Sequence, residues 1–168
     1  MRVSNREAAF DAYFRIHFVP VLRFVERRIL NRETAHEIAA ECLVIAWQKF
    51  DPGHPPRIAW LYQTARNLLG NAYRKRAREA SLLELLKDRA RFDTPDPELV
   101  LLEEAMDRLR SLDQEALRLT YWEQLSAAEV GQVLGCSEQA AWKRISRAKE
   151  AVKSQLESAS IWKGDMRT

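Results

Sequence analysis

Gln139, Trp142, Lys143, Ser146 and Arg147 recur at intervals that gather them on one side of a helix. Their types suit the edges of base pairs: Gln pairs bidentately with adenine, and Arg or Lys with guanine, in a major groove. Lys149 and Lys153 lie toward the flanks and suit phosphates, which position a protein on DNA without specifying sequence. A second set, Gln63, Asn67, Gly70 and Arg74 with Trp60, Asn71 and Arg78 at its edges, mixes amides, a ring and cations. Rings stack on unpaired bases, amides read their edges and arginines hold phosphates, so this set suits single strands. Gly70 costs about 1 kcal/mol against Ala in mid-helix, which a close backbone approach would justify. A third set, Glu37, Glu41, Val44 and Gln48 with Ala40 beside them, surrounds an exposed aliphatic with acids and an amide, as at a protein interface. No nucleophile–base pair and no phosphate loop accompany them. His17, His36, His54, Cys42 and Cys136 lack ligand spacing, so no catalytic residue, metal or cofactor is expected.

These sets require helices to present them. In the last helix, residues 137–158, Ala141, Ile145, Ala148 and Val152 form the buried stripe opposite the polar side. Ser126 and Glu129 form a capping box that opens a helix over residues 126–134. Gly135 ends it in a left-handed conformation, Cys136 is an apolar plug and Ser137 caps the next helix. A short capped helix, a glycine turn and a longer capped helix make a helix-turn-helix. A helix over 113–122 precedes it. Before that, Asp96 caps and Pro97 starts a helix whose Leu99, Leu102, Met106 and Leu109 face inward.

The single-strand set needs a helix over residues 57–78, with Leu61, Thr64, Ala65, Leu68 and Ala72 on its core side. The proline-rich stretch 51–56 before it is an exposed loop. Thr34 and Glu37 predict a capping box for the helix carrying the acidic face, with Ala35, Ile38, Cys42 and Ala46 inward and its end at Phe50. Upstream, Phe10, Phe14, His17 and Phe18 share a face, and Pro20 is expected to end that helix near Val19 and start another. The latter carries Val21, Leu22, Val25 and Ile29 inward, with Arg23, Arg27 and Arg28 outside. Residues 81–92 have the pattern of a short amphipathic helix, and 93–97 that of a hinge.

The expected fold class is all-α: two small helical domains, residues 5–79 and 98–158, joined by a flexible linker at 80–97. Gly is scarce, at five residues, and 46% of the chain is apolar, enough for buried cores. The 27 basic and 24 acidic residues leave a net charge of +3, which permits a nucleic-acid partner without demanding one. Position says more: bases crowd at 74–78 and 143–153, and acids at 98–107. No apolar run approaches the roughly 20 residues of a membrane span, and the N-terminal residues carry no long apolar stretch, so the expected location is cytoplasmic. By themselves the residues also suit a stand-alone helix-turn-helix regulator, with the first block for dimerisation or sensing, or a protein-interaction adaptor.

A resemblance narrows these readings. Ala35-His-Glu-Ile-Ala-Ala-Glu-Cys-Leu-Val-Ile-Ala-Trp47 resembles the region-two helix with which extracytoplasmic-function sigma factors bind core RNA polymerase. Trp60-Leu-Tyr-Gln-Thr-Ala-Arg-Asn67, continuing through Asn71 and Arg74, is similar to their minus-ten reading helix. Leu125-Ser126, Glu129-Val130, Leu134-Gly135, Ser137 and Lys143-Arg-Ile-Ser-Arg-Ala-Lys149 resemble their region-four helix-turn-helix. The resemblance implies a region-two four-helix bundle and a region-four helix-turn-helix domain. It also implies an alternative-type sigma factor that performs no chemistry and directs promoter recognition and melting. Glu37, Glu41, Val44 and Gln48 would meet the polymerase. Trp60, Gln63, Asn67, Asn71 and Arg74 would meet the minus-ten element, and the 51–57 loop would capture a flipped base. Gln139, Trp142, Lys143, Ser146 and Arg147 would read duplex at minus thirty-five. Core RNA polymerase, promoter DNA and an anti-sigma factor are the implied partners. Trp142 stands where the family is more often polar or basic.

Overall fold

The computed structural model of the chain describes residues 4–79 and 96–165. They fall into two compact units, each all-helical. The first holds α1 (Asn5–Glu26), α2 (Arg32–Lys49) and α3 (Ile58–Glu79). The second holds α4 (Pro97–Asp107), α5 (Ser111–Tyr121), α6 (Ala127–Leu134) and α7 (Glu138–Asp165).

α1 begins at a reciprocal cap: Ser4 Oγ accepts from the Glu7 N–H, and Glu7 Oε2 accepts from the Ser4 N–H. It then runs unbroken through Pro20, so the two helices expected across this stretch are one, and the first unit has three described helices where four were expected. Proline in a helix interior costs about 3 kcal/mol. Against that, Tyr13 before the proline and Val21, Phe24 and Val25 after it are buried on one continuous stripe. Each such side chain contributes roughly 1.5–3 kcal/mol on burial; a break at Pro20 would turn half the stripe from the core.

α2 starts earlier than the Thr34–Glu37 pair predicts. Asn31 is its N-cap, its side chain accepting from the Thr34 N–H at 3.0 Å, so Thr34 is already the third helical residue. The inward arc is as expected, with Ala35, Ile38, Ala39, Cys42, Leu43 and Ala46 buried, and Phe50 closes the helix. α3 buries Ala59, Leu61, Tyr62, Ala65 and Leu69, while Leu68 is only half-buried. The three helices meet around Phe24, whose ring stacks on Tyr62 at 4.7 Å and lies beneath the Arg28 guanidinium at 3.7 Å. Gly70 has no close neighbour: an added Cβ would meet only the Arg74 guanidinium, at 3.8 and 3.9 Å. Among the described residues, no other part of the chain accounts for a glycine at this position.

In the second unit α7 packs against α4, α5 and α6. Ala105, Leu117, Ala148 and Val152 form one buried cluster, with Met106, Leu109, Ile145 and Leu156 packed against it, and Leu119, Val130 and Ala141 are fully buried as well. Asp96 caps α4 as expected, its side chain accepting from the Glu98 N–H. Only the C-terminal half of α4 reaches this cluster, so Leu99 and Leu102, expected inside, are 56% and 40% exposed. α7 also extends past the expected end, to Asp165. The amphipathic pattern at 81–92 and most of the 93–97 hinge lie outside the described residues.

Candidate nucleic-acid and protein interfaces

The turn between α6 and α7 is fixed by two glycines with different duties. Gly135 closes α6 with φ +72°, the left-handed region where a Cβ is strained. Gly131, buried one turn earlier, faces the turn itself: an added Cβ would stand 2.7 Å from the Cys136 carbonyl oxygen and 3.2 Å from Ser137. Capping completes the geometry, since Ser126 Oγ accepts from the Glu129 N–H and Ser137 Oγ from the Ala140 N–H.

Thus held, α7 buries Ala141, Ala148 and Val152 and turns its other side outward. Gln139, Trp142, Lys143 and Arg147 are exposed, Trp142 by 63%, and Ser146 is half-buried beside them. At 100° per residue these five occupy an arc of about 140°, so they form one surface. Lys149 and Lys153 are exposed on the same helix. Arg144 does not join them. Its Nη1 donates to Asp113 Oδ1 of α5 at 2.8 Å, and the pair is partly buried.

On α3 the expected residues also share a side: positions 60, 63, 67, 71 and 74 fall within about 80° of arc and about 21 Å of helix length. Asn67, Asn71 and Arg74 are exposed, while Trp60 and Gln63 are half-buried. Arg74 Nη2 donates to Asn71 Oδ1, which joins amide and cation into one group, and Arg78 Nε donates to the Arg74 carbonyl at 3.2 Å. On α2, Glu37, Glu41, Val44 and Gln48 are all exposed within about 60° of arc. Val44 is 58% exposed there, an aliphatic side chain with acids around it.

The remaining titratable core groups are structural. Burial pushes the Cys42 thiol up to about 12, and its Sγ donates to the Leu61 carbonyl. Burial likewise lowers His17. Among the described residues no cluster of His, Cys, Asp and Glu could hold a metal ion, and no helix is long and apolar enough to cross a membrane.

Family comparison finds Sigma-70 region 2 over residues 13–79 and Sigma-70, region 4 over residues 99–152. The chain belongs to the sigma-70 family. Its region 2 includes the acidic face of α2 and the amide–arginine face of α3, and its region 4 includes the α6–α7 turn. RfaY of Xanthomonas campestris pv. campestris, a probable RNA polymerase sigma factor, is 30% identical over 142 residues. That alignment covers 76% of this chain and 36% of the relative, so the chain spans about a third of the relative's length. Two solved structures share the fold. The sigma factor RpoE in complex with the anti-sigma factor NepR from Bartonella quintana has 21% identity and a TM-score of 0.62, covering 88% of this chain and 96% of that one. CnrH in complex with the cytosolic domain of CnrY has 23% identity and a TM-score of 0.63, covering 92% and 91%.

Four residues of these two regions were not singled out from sequence. Asp113 and Arg144 pair across α5 and α7, and the signal for Arg144 was its place beside the buried stripe of α7, where a cation needs a partner. Gly131 stands inside a helix of eight residues, where Ala would be the default. Tyr13 reaches from α1 to the loop before α3, donating to the Pro56 carbonyl at 2.8 Å; no local pattern marks it.

Proposed function

We propose that the chain is an alternative sigma factor of the extracytoplasmic-function type, which binds core RNA polymerase and directs promoter recognition and melting. The observation that carries this reading is the pair of separately packed units, region 2 then region 4, each turning one polar, cation-bearing helix side to solvent. Residues 5–79 form the polymerase and minus-ten domain, 80–97 the linker and 98–158 the minus-thirty-five domain. Glu37, Glu41, Val44 and Gln48 dock on the polymerase. Trp60, Gln63, Asn67, Asn71 and Arg74 take the unpaired minus-ten strand, while Gln139, Trp142, Lys143, Ser146 and Arg147 take duplex.

Each unit alone binds DNA weakly, and the polymerase surface sets their spacing. Two weak contacts joined at a fitting distance gain avidity of ~10²–10⁴. Binding unpaired bases offsets part of the unstacking cost of a few kcal/mol per base. The chain works in the cytoplasm. An anti-sigma factor restrains it, a reading supported by fold relatives solved as complexes, RpoE with the anti-sigma factor NepR and CnrH with the cytosolic domain of CnrY.

The discriminating experiment measures binding of the purified chain to promoter fragments with and without core polymerase. Sigma action gives binding that depends on the core enzyme. Tight duplex binding by the chain alone would instead identify a stand-alone regulator.

A further inference from the structure

The loop between α2 and α3 has its two ends held by α1, a helix that belongs to neither flank. At the first end, Arg6 Nε donates to the Phe50 carbonyl at 3.2 Å and Arg6 Nη2 donates to the Trp47 carbonyl. The guanidinium also lies 3.7 Å from the centre of the Trp47 ring. At the second end, the Tyr13 hydroxyl donates to the Pro56 carbonyl at 2.8 Å. Phe50 itself is wedged against Phe10 and Tyr13, with ring centres at 5.1 and 5.2 Å. Between those ends the loop is tied internally: the Gly53 N–H donates to Asp51 Oδ1, and the His54 N–H to the Asp51 carbonyl. Its apex faces solvent, the His54 side chain being 93% exposed with Nδ1 turned toward Asp51 at 3.4 Å.

We propose that Arg6 and Tyr13 are positioning residues that fix both ends of the 51–57 loop, so that it meets an unpaired promoter base as a preformed surface. The proposal rests on the reading of region 2 as the minus-ten-binding domain. A surface that already has its bound shape loses little conformational freedom on binding, whereas a slack loop loses affinity and discrimination to ordering. The arrangement suits this task more than general stability. The aromatic packing of Phe10, Tyr13 and Phe50 already supplies the burial, while the Tyr13 hydroxyl donates to the Pro56 carbonyl, in the loop just before α3 begins at Ile58. Burial raises the phenol above its ordinary value, so the hydroxyl stays a donor at working pH.

Tyr13→Phe removes that one hydrogen bond and keeps the ring. The full chain, bound to core polymerase, is offered a pool of fork-junction DNA randomised over the unpaired minus-ten strand, and the captured molecules are sequenced. The wild-type chain enriches particular bases. In Tyr13→Phe the preference falls about fivefold, the worth of one net hydrogen bond, at the position facing the loop, while other positions and polymerase affinity hold. Unchanged preference at every position overturns the proposal. So does a uniform decline that tracks a lowered melting temperature, which would mean Tyr13 only stabilises the fold. A wild-type chain that binds polymerase but selects no base refutes the minus-ten reading, and the proposal with it. Should Tyr13→Phe fail to fold, Arg6→Met, which keeps an apolar stem against Trp47 and releases Phe50, faces the same assay and the same criteria.

Discussion

Arg144 of α7 is held by Asp113 of α5 across 2.8 Å, with 27% and 23% of the two side chains exposed. A cation at the border of the outward polar side of α7 is thereby committed to the protein's own interior edge. The pair ties α7 to α5 at this point, while Lys143 and Arg147, before and after it in sequence, are exposed.

Asp113→Ala leaves a half-buried guanidinium without this carboxylate. The pair is neither fully exposed, where the value is below about 1 kcal/mol, nor fully buried, where breaking it costs ~3–5 kcal/mol. A loss of about 1–2 kcal/mol is expected, which lowers the melting temperature of a unit this small by roughly 5–10 °C. Calorimetry of the full chain checks this; an unshifted transition would show that the pair contributes nothing. Lys143→Ala, an exposed position, should leave the transition in place.

The glycines make a sharper contrast. Gly131→Ala drives a Cβ to 2.7 Å from the Cys136 carbonyl oxygen, with backbone rather than a flexible side chain in the way. Overpacking of this kind costs about 1–3 kcal/mol, and the turn into α7 should shift with it. Gly70→Ala meets only ordinary contacts with Arg74 and should gain up to about 1 kcal/mol of helix stability. Urea melts of both variants test the pair of outcomes. A stabilised Gly131→Ala would contradict the turn geometry, and a destabilised Gly70→Ala the open surface of α3.

The interfaces should separate by function. Lys143→Ala and Arg147→Ala are expected to weaken promoter capture by the polymerase complex and to reduce the slope of log K against log salt by about one each, with polymerase association intact. Glu41→Arg should do the reverse, abolishing pull-down of core polymerase. Loss of polymerase binding in Lys143→Ala, or normal pull-down by Glu41→Arg, would undo the assignment.

Much of this architecture was legible in the sequence because the informative signals are local. The Gly135 stop and the Ser126, Ser137 and Asp96 caps act within about one turn, and the Ala141–Ala148–Val152 stripe spans about three. Their consequence, an α7 with its cations outside, follows from helical periodicity alone. What sequence reading missed is non-local. Pro20 signals a break, yet α1 continues because α2 and α3 bury residues on both sides of it. Thr34 has the spacing of a capping box with Glu37, but Asn31, an equally good cap three residues earlier, takes the role. Leu99 and Leu102 have the spacing of a core stripe, but from this stretch the buried cluster takes in Ala105, Met106 and Leu109. Asp113–Arg144 and Tyr13–Pro56 join positions 31 and 43 residues apart, beyond what any spacing rule within one helix detects.

The central claim is that the chain supplies promoter recognition to a polymerase that lacks it. Run-off transcription from a library of genomic fragments, with purified core polymerase and with or without this chain, tests it most directly. Discrete transcripts that appear only with the chain, and vanish in Asn67→Ala together with permanganate reactivity of the melted bases, are the predicted result. A transcript pattern identical with and without the chain would contradict the account.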